Sequence, residues 1–211
     1  MFFAIIQKRF VYDFWEKFAL KILILNGNNK QESLSAAICK AYSDGATEGG
    51  NEVILVHIAE LKFDPILHEG YLMVQEMEPD LKDFQQKLLW ADHFVVVYPT
   101  WWGGLPALLK GLFDRSFYSG FAYKYHEKGP MWDKLLSGRS AHVITTMDAP
   151  FLWYFLFYRS AGTNLIRNAI LKFCGFSPVK TSYITRVRFK NEQQLSVEIN
   201  KIKVRAKNMN R

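Results

Sequence analysis

Residues 93–106, HFVVVYPTWWGGLP, decide the architecture. Residues 93–98 are apolar at nearly every position and β-branched in the middle. A run of this kind is a strand buried on both faces, the habit of a parallel sheet covered by helices. It breaks into a loop bounded by Pro99 and Pro106, which restrict the backbone, with Gly103 and Gly104 where another surface can come close. A helical pattern over 106–118 follows. On the N-terminal side, Lys21–Asn26 (KILILN) is a second buried strand. Ser33 then opens a helix with Leu34, Ala37, Ile38, Ala41 and Tyr42 on one face and Gly49-Gly50 as its stop. A strand over 52–58 and a helix over 79–90, with Pro79 in its first turn, complete that side. On the C-terminal side the pattern predicts a strand over 140–146, a helix over 159–174 stopped by Gly175, a strand over 179–187 and an amphipathic helix over 192–207. Strict alternation of strand and helix argues for one α/β domain over 21–211, a doubly wound parallel sheet of order 2-1-3-4-5.

Composition narrows the function classes. Aromatics make up 16% of the 211 residues and cluster in the first 18 residues, in 98–125 and in 151–158. Aromatic-rich loops suit a flat organic ligand, and equally a core or a subunit interface. The net charge of +7 sits in the last segment, where nine Lys or Arg between 179 and 211 face only Glu192 and Glu198. That segment lacks a nucleic-acid motif and the aromatic interleaving of a single-strand binder, so it reads as a solvated helix face. Cys39 and Cys174 form no CxxC pair and His57, His68, His93, His126 and His142 show no ligand spacing, so no metal is expected.

The apolar run 151–158 is far short of the ~20 residues a spanning helix needs. Phe3, Ile6, Phe10, Phe14 and Phe18 recur at roughly helical spacing, and Lys8, Arg9, Asp13, Glu16 and Lys17 between them interrupt any signal-peptide core. Residues 1–20 are therefore an aromatic amphipathic extension, read as a packing arm or a start-site artefact ahead of a membrane-surface helix. A cytoplasmic protein is expected.

In an open parallel sheet, ligands lie beyond the carboxyl ends of the strands near the switch in strand order. The loops after the first, third and fourth strands form that lip. The first, from Asn26 to Ser35, is small and polar and ends at a helix N-terminus. It is neither a Walker loop nor GxGxxG, so Ser33 either caps the helix or joins a phosphate site. The second loop holds Trp101 and Trp102. Two adjacent indoles cannot both enter the same core, so at least one faces the lip, beside backbone N–H groups suited to the edge of a flat ring.

Residues 98–117, YPTWWGGLPALLKGLFDRSF, closely resemble the flavin-binding segment of the quinone reductase (DT-diaphorase-like) branch of the flavodoxin superfamily. Residues 120–125 (GFAYKY), Lys128-Gly129-Pro130 and Thr145-Thr146 match that branch in order and spacing. The whole is similar to its bacterial NAD(P)H oxidoreductase subgroup. The resemblance spans 21–187 and implies a flavodoxin-like fold. It also implies that Asn26, Ser33, Leu34 and Ser35 hold a flavin phosphate, that Pro99, Thr100, Trp101, Trp102 and Gly103 line the ring, and that Thr145, Thr146, Met147 and Asp148 flank its pyrimidine side. Tyr123 and Tyr125 fall where the family places aromatics over the neighbouring subunit's substrate pocket, which implies a homodimer with shared sites.

The chain departs from the pattern after Thr146. The family's pair of glycines is replaced by Met147-Asp148-Ala149-Pro150, and no His follows to fill the family's supporting role. Tyr154 and Asp148 are the candidates for that work. The implied cofactor is FMN, with FAD as the alternative, and the hydride donor is NADPH or NADH. The implied reaction is ping-pong transfer to a quinone or similar aromatic acceptor. Two other readings stay open: an electron-carrying flavodoxin, and a flavoprotein ancillary subunit of a membrane potassium-efflux system.

Overall fold

The computed structural model describes residues 19–71, 73 and 75–209. The helical spacing of Phe3, Ile6, Phe10, Phe14 and Phe18 lies outside the described residues. Five strands form one parallel sheet: β1 (Lys21–Asn26), β2 (Glu52–His57), β3 (His93–Pro99), β6 (Ser140–Thr146) and β7 (Val179–Ile184). Their order is β2-β1-β3-β6-β7, which is 2-1-3-4-5 counted within the sheet. The chain moves outward from β1 to β2, then returns to place β3 on β1's other side. The loops after β1 and β3 therefore diverge and leave a crevice between them.

The strands are apolar throughout because both sheet faces are covered. Leu23, Leu25, Phe94, Val96 and Tyr98 point to the face carrying α2 (Pro79–Trp90) and α3 (Ala107–Ser116). Ile22, Ile24, Val95 and Val97 point to the face carrying α1 (Leu34–Glu48) and α6 (Glu192–Lys207). Each fully buried aliphatic or aromatic side chain contributes about 1.5–3 kcal/mol, so the sheet centre is where most of the stability resides. One charged anchor crosses the first face. Arg115, on α3, is buried; its Nη2 donates to Glu78 Oε2 at 2.8 Å and to the Glu76 carbonyl at 2.8 Å, and its Nη1 donates to the Asp64 carbonyl. Burial raises the Glu78 carboxyl, but the Asp64 N–H and Arg115 outweigh it and hold the group below the usual range. The arginine of the DRSF stretch is thus a strut between α3 and the loop before α2.

The structure corrects four boundaries. The predicted strand 52–58 ends at His57, and Ile58–Glu60 forms a 3₁₀ turn. The helix expected over 106–118 spans Ala107–Ser116, with Pro106 as its cap. The strand expected over 179–187 stops at Ile184, because Arg186 adopts φ 56° and turns the chain. The helix expected over 159–174 begins only at α5 (Ala161–Asn164), because Arg159 and Ser160 take φ 48° and 51°, and it widens to a π-helix over Leu165–Lys172. Two elements went unread. A small antiparallel hairpin, β4 (Tyr123–Tyr125) with β5 (Trp132–Lys134), follows α3, and the run after β6 is a short helix, α4 (Phe151–Phe157).

The histidines of the sheet belong to the core. His93 lies between Tyr42 Oη at 3.2 Å and Ser140 Oγ at 2.7 Å, and His142 Nε2 meets Ser182 Oγ at 2.9 Å. Burial first, then nearby cations, pushes His93 down to about 4 and His142 to about 3, so both are neutral at pH 7. Cys39 and Cys174 are buried free thiols. Among the described residues, no helix is long and apolar enough to cross a membrane.

Candidate active site

Three loops meet at the carboxyl end of the sheet. After β1, buried Asn26 accepts the Asn28 N–H at 3.2 Å, and Asn28 Oδ1 accepts the Lys30 N–H at 3.0 Å. These successive side-chain turns lead the backbone away from the sheet toward α1. Asn26 Nδ2 is held by His57 Nδ1 at 3.1 Å, from the end of β2. Ser33 caps α1, its Oγ accepting the Ala36 N–H at 3.2 Å. The cap leaves the Leu34 and Ser35 N–H groups without an acceptor among the described residues, and no carboxylate stands in the first turn to compete for them. Ser33 therefore caps the helix and still leaves donors for an anion.

After β3, the Thr100 N–H donates to the Thr146 carbonyl at 2.8 Å, and the Thr100 and Thr145 hydroxyls pair at 2.7 Å. Pro99, Thr100, Thr145 and Thr146 are thereby locked into one ledge. Residues 101–104 then form a tight hairpin, with Trp101 and Gly104 exchanging backbone bonds at 3.2 and 2.9 Å. Its two central residues, Trp102 and Gly103, have φ 52° and 72°, the signature of a type I′ turn. The left-handed conformation costs a non-glycine residue about 1–2 kcal/mol, and such strain collects at functional sites. Trp102 presents its whole side chain to solvent and Trp101 about half, so both indoles face outward. The N–H groups of Trp102 and Gly103 have no acceptor among the described residues, which leaves two adjacent donors on a rigid turn.

This turn is gripped from behind. The Gly162 N–H, at the start of α5, donates to the Gly103 carbonyl at 3.1 Å. A Cβ on Gly162 would stand 2.9 Å from that carbonyl oxygen and 2.9 Å from Gly104 Cα. A Cβ on Gly103 would stand 2.8 Å from the Tyr158 ring. Tyr154 is buried directly beneath. Its Oη accepts the Thr163 N–H at 3.1 Å and lies 3.3 Å from Thr163 Oγ1 and 3.5 Å from the Gly103 carbonyl. Gly162, Tyr158 and Thr163 were not anticipated from sequence; a glycine inside an otherwise helical pattern was the available signal.

After β6, Met147 is buried and its N–H bonds the Ile184 carbonyl at 2.9 Å. Asp148 is exposed at the lip. One carboxylate oxygen accepts the Arg188 N–H at 2.9 Å, and the other has no protein partner among the described residues. Tyr98, next to last in β3, is fully buried, and burial pushes its phenol well above the usual range. The lip thus brings together Asn26, the 33–35 turn, residues 99–103 and residues 145–148.

Tyr123 and Tyr125 are elsewhere. They stand on the β4–β5 hairpin, where Tyr123 packs on Phe173 with ring centroids 5.1 Å apart, near the far end of the π-helix. Within one chain, no hydrogen bond or ring contact among the described residues joins them to the lip.

Residues 20–206 match the family described as having the flavodoxin-like fold. The chain belongs to that family. It is 30% identical over 183 residues to NAD(P)H dehydrogenase [quinone] 1 of Cavia porcellus, a match covering 74% of this chain and 65% of the relative. The chain spans less than two thirds of the length of the first curated relatives it matches. Smu.1420 of Streptococcus mutans UA159 superposes with a TM-score of 0.77 at 28% identity, over 90% of this chain and all of that one. An FMN-dependent NADH-azoreductase from Bacillus anthracis, solved with FMN, superposes with a TM-score of 0.71 at 17% identity, over 89% of this chain and 97% of that one, a likeness of fold.

Proposed function

We propose that this chain is a flavin-dependent NAD(P)H:quinone-type oxidoreductase. The observation that carries the reading is the strained turn at 102–103. Its two unclaimed N–H groups sit beside exposed indoles at the switch point, and the unclaimed donors of the 33–35 turn lie across the crevice. That donor set fits a flavin, which has an anionic phosphate at one end and a flat ring with acceptors along its edge at the other. FMN is the proposed cofactor, with FAD as the alternative. When bound, it would supply hydride-transfer chemistry between NADPH or NADH and a quinone or similar aromatic acceptor.

The protein's part is positioning and electrostatics. The Leu34 and Ser35 N–H groups would hold the phosphate, with Asn26 and Ser33 shaping the approach. Pro99, Thr100, Trp101, Trp102 and Gly103 would line the ring, and the turn's N–H groups would favour negative charge at its edge. Thr145, Thr146, Met147 and Asp148 close the pyrimidine side. The phenol of Tyr154 is committed to Thr163 and Gly103, so Tyr154 acts on the turn as a positioning residue. Asp148, with one free oxygen at the lip, is the group placed to touch the ring. A ping-pong order, in which the oxidised nicotinamide would leave before the acceptor enters, is the proposed kinetic scheme. Tyr123 and Tyr125 would cover the pocket of a second copy in a homodimer, and the cytoplasm is the proposed location.

The test is an anaerobic titration of the FMN-reconstituted protein with NADPH. Bleaching of the flavin band near ~450 nm straight to the two-electron reduced form is expected. Flavin that binds but stays oxidised with both NADPH and NADH would overturn the hydride reading, and failure to bind flavin would overturn the cofactor assignment.

A further inference from the structure

A cavity of about 1140 Å³ opens at the amino end of the sheet, against the first residues of β3, β6 and β7 and the end of α6. The length of β6, at ~3.3 Å per residue, puts it roughly 20 Å from the lip. Side-chain alternation makes its floor polar. Ala141, Val143 and Val179 point to the core under α2 and α3, so Ser140, His142, Lys180 and Ser182 point to the other face. A face packed dry by a helix carries apolar residues, as β1 and β3 do with Ile22, Ile24, Val95 and Val97. Here two adjacent strands carry hydrogen-bonding groups instead, and such groups need partners.

Those partners are incomplete. Arg205 Nη1 and His142 Nε2 both meet Ser182 Oγ, each at 2.9 Å. An arginine only donates, so the serine proton goes to His142 Nε2, and the neutral ring carries its own proton on Nδ1. That donor has no acceptor among the described residues, on a side chain 2% exposed that lines the cavity. Lys180 and Arg205 both act on His142, and neither pairs with a carboxylate among the described residues. Arg167 adds charge at the wall, and its Nε is buried without an acceptor. Asp92, the one carboxylate among the described lining residues, accepts the Lys21 N–H at 3.1 Å. We propose that the cavity binds a small phosphate-bearing molecule with a flat or apolar body. Its phosphate meets Lys180, Arg205 and the His142 N–H, and its body lies along Tyr42, Val204 and Met209. Cations from separate elements, joined by a neutral donor, suit a multiply charged tetrahedral group, whereas one guanidinium fork would satisfy a carboxylate. Ordinary ligand pockets hold about 300–1,000 Å³, so the volume leaves room for a body beyond the phosphate. The site stands apart from the flavin reading and does not rest on it.

The experiment labels the histidines isotopically and follows their five ring signals by NMR while phenyl phosphate is added. His93 and His142 report the cavity, His57 beside Asn26 reports the lip, and His68 and His126 report exposed surface. Saturable movement of His142 and His93 is expected. Inorganic phosphate should bind more weakly because it lacks the body, and benzoate because it lacks the second charge. Lys180→Gln and Arg205→Gln, both at exposed positions, should keep native circular dichroism and weaken the cavity binding about tenfold or more. Lys40→Gln, on the outer side of α1, should leave it unchanged. Movement of His57 reports the lip and should survive both cavity substitutions. His142 and His93 signals that stay still, or that move only in step with His68 and His126, would overturn the site. Benzoate that binds as tightly as phenyl phosphate would overturn the phosphate assignment, and cavity variants that bind like the native chain would overturn the role given to the cations.

Discussion

Gly162→Ala separates the stability of the fold from the placement of the turn. The added methyl would stand 2.9 Å from the Gly103 oxygen and 2.9 Å from Gly104 Cα, and both are backbone atoms that no rotamer change can move aside. The turn has to shift, and the 3.1 Å bond from the Gly162 N–H to Gly103 has to lengthen. Two opposing terms act on stability. Overpacking a tight site costs about 1–3 kcal/mol, while alanine in a helix recovers up to about 1 kcal/mol over glycine. The net loss is then about 0–2 kcal/mol, and each kcal/mol lowers the melting temperature of a chain this size by about 2–4 °C. Ligand binding has no such compensation. Losing one well-aligned donor to the ring, worth about 1.5 kcal/mol, weakens FMN by about tenfold. Melting of the flavin-free protein and fluorescence titration with FMN read the two effects apart. A Gly162→Ala protein that melts several degrees lower yet binds FMN with unchanged affinity would refute the role given to the turn.

Other expectations rest on single observations. Tyr154→Phe leaves the buried Thr163 N–H without its 3.1 Å acceptor, so a loss of about 1–3 kcal/mol in urea unfolding is expected. If Tyr154 only positions the turn, the pH profile of kcat keeps its native shape; a displaced profile would show that the phenol takes part in proton transfer. Stability should be full above pH ~6.5 and drain as pH falls toward 4, because the unfolded chain protonates His93 and His142 before the folded one does. The drop of His93 from 6.5 to about 4 corresponds to about 3 kcal/mol, and a urea midpoint that stays flat between pH 6.5 and 4.5 would contradict the neutral assignment. Burial pushes Cys174 up to about 12 and Cys39 higher still, so neither thiol should react with an aromatic disulfide reagent until the chain unfolds.

The sheet was legible because its physics is local. A strand covered on both faces must be apolar at successive positions, and residues 93–98 and Lys21–Asn26 satisfy this with nothing else competing. Helix starts were legible where a side chain makes the cap, as at Ser33. What escaped was set by contacts between distant segments. Arg159, Ser160 and Arg186 adopt left-handed backbone without being glycine or asparagine, so no residue type announces the turns they make. The β4 and β5 strands have three residues each, too few for alternation to show.

The aromatic turn shows both sides of this limit. Two glycines marked the place where the backbone bends, yet the bend falls one residue earlier, on Trp102 and Gly103, while Gly104 keeps an ordinary conformation and pairs with Trp101. That register is imposed by Gly162, Tyr154 and Tyr158, some fifty residues downstream, which hold the Gly103 carbonyl in place. The same register turns Trp102 outward and leaves its N–H and that of Gly103 unclaimed. The candidate site is therefore made by α4 and α5 as much as by the loop that carries the recognisable residues. A substitution among 154–163 should disturb cofactor binding more than its distance along the chain from residues 98–106 suggests.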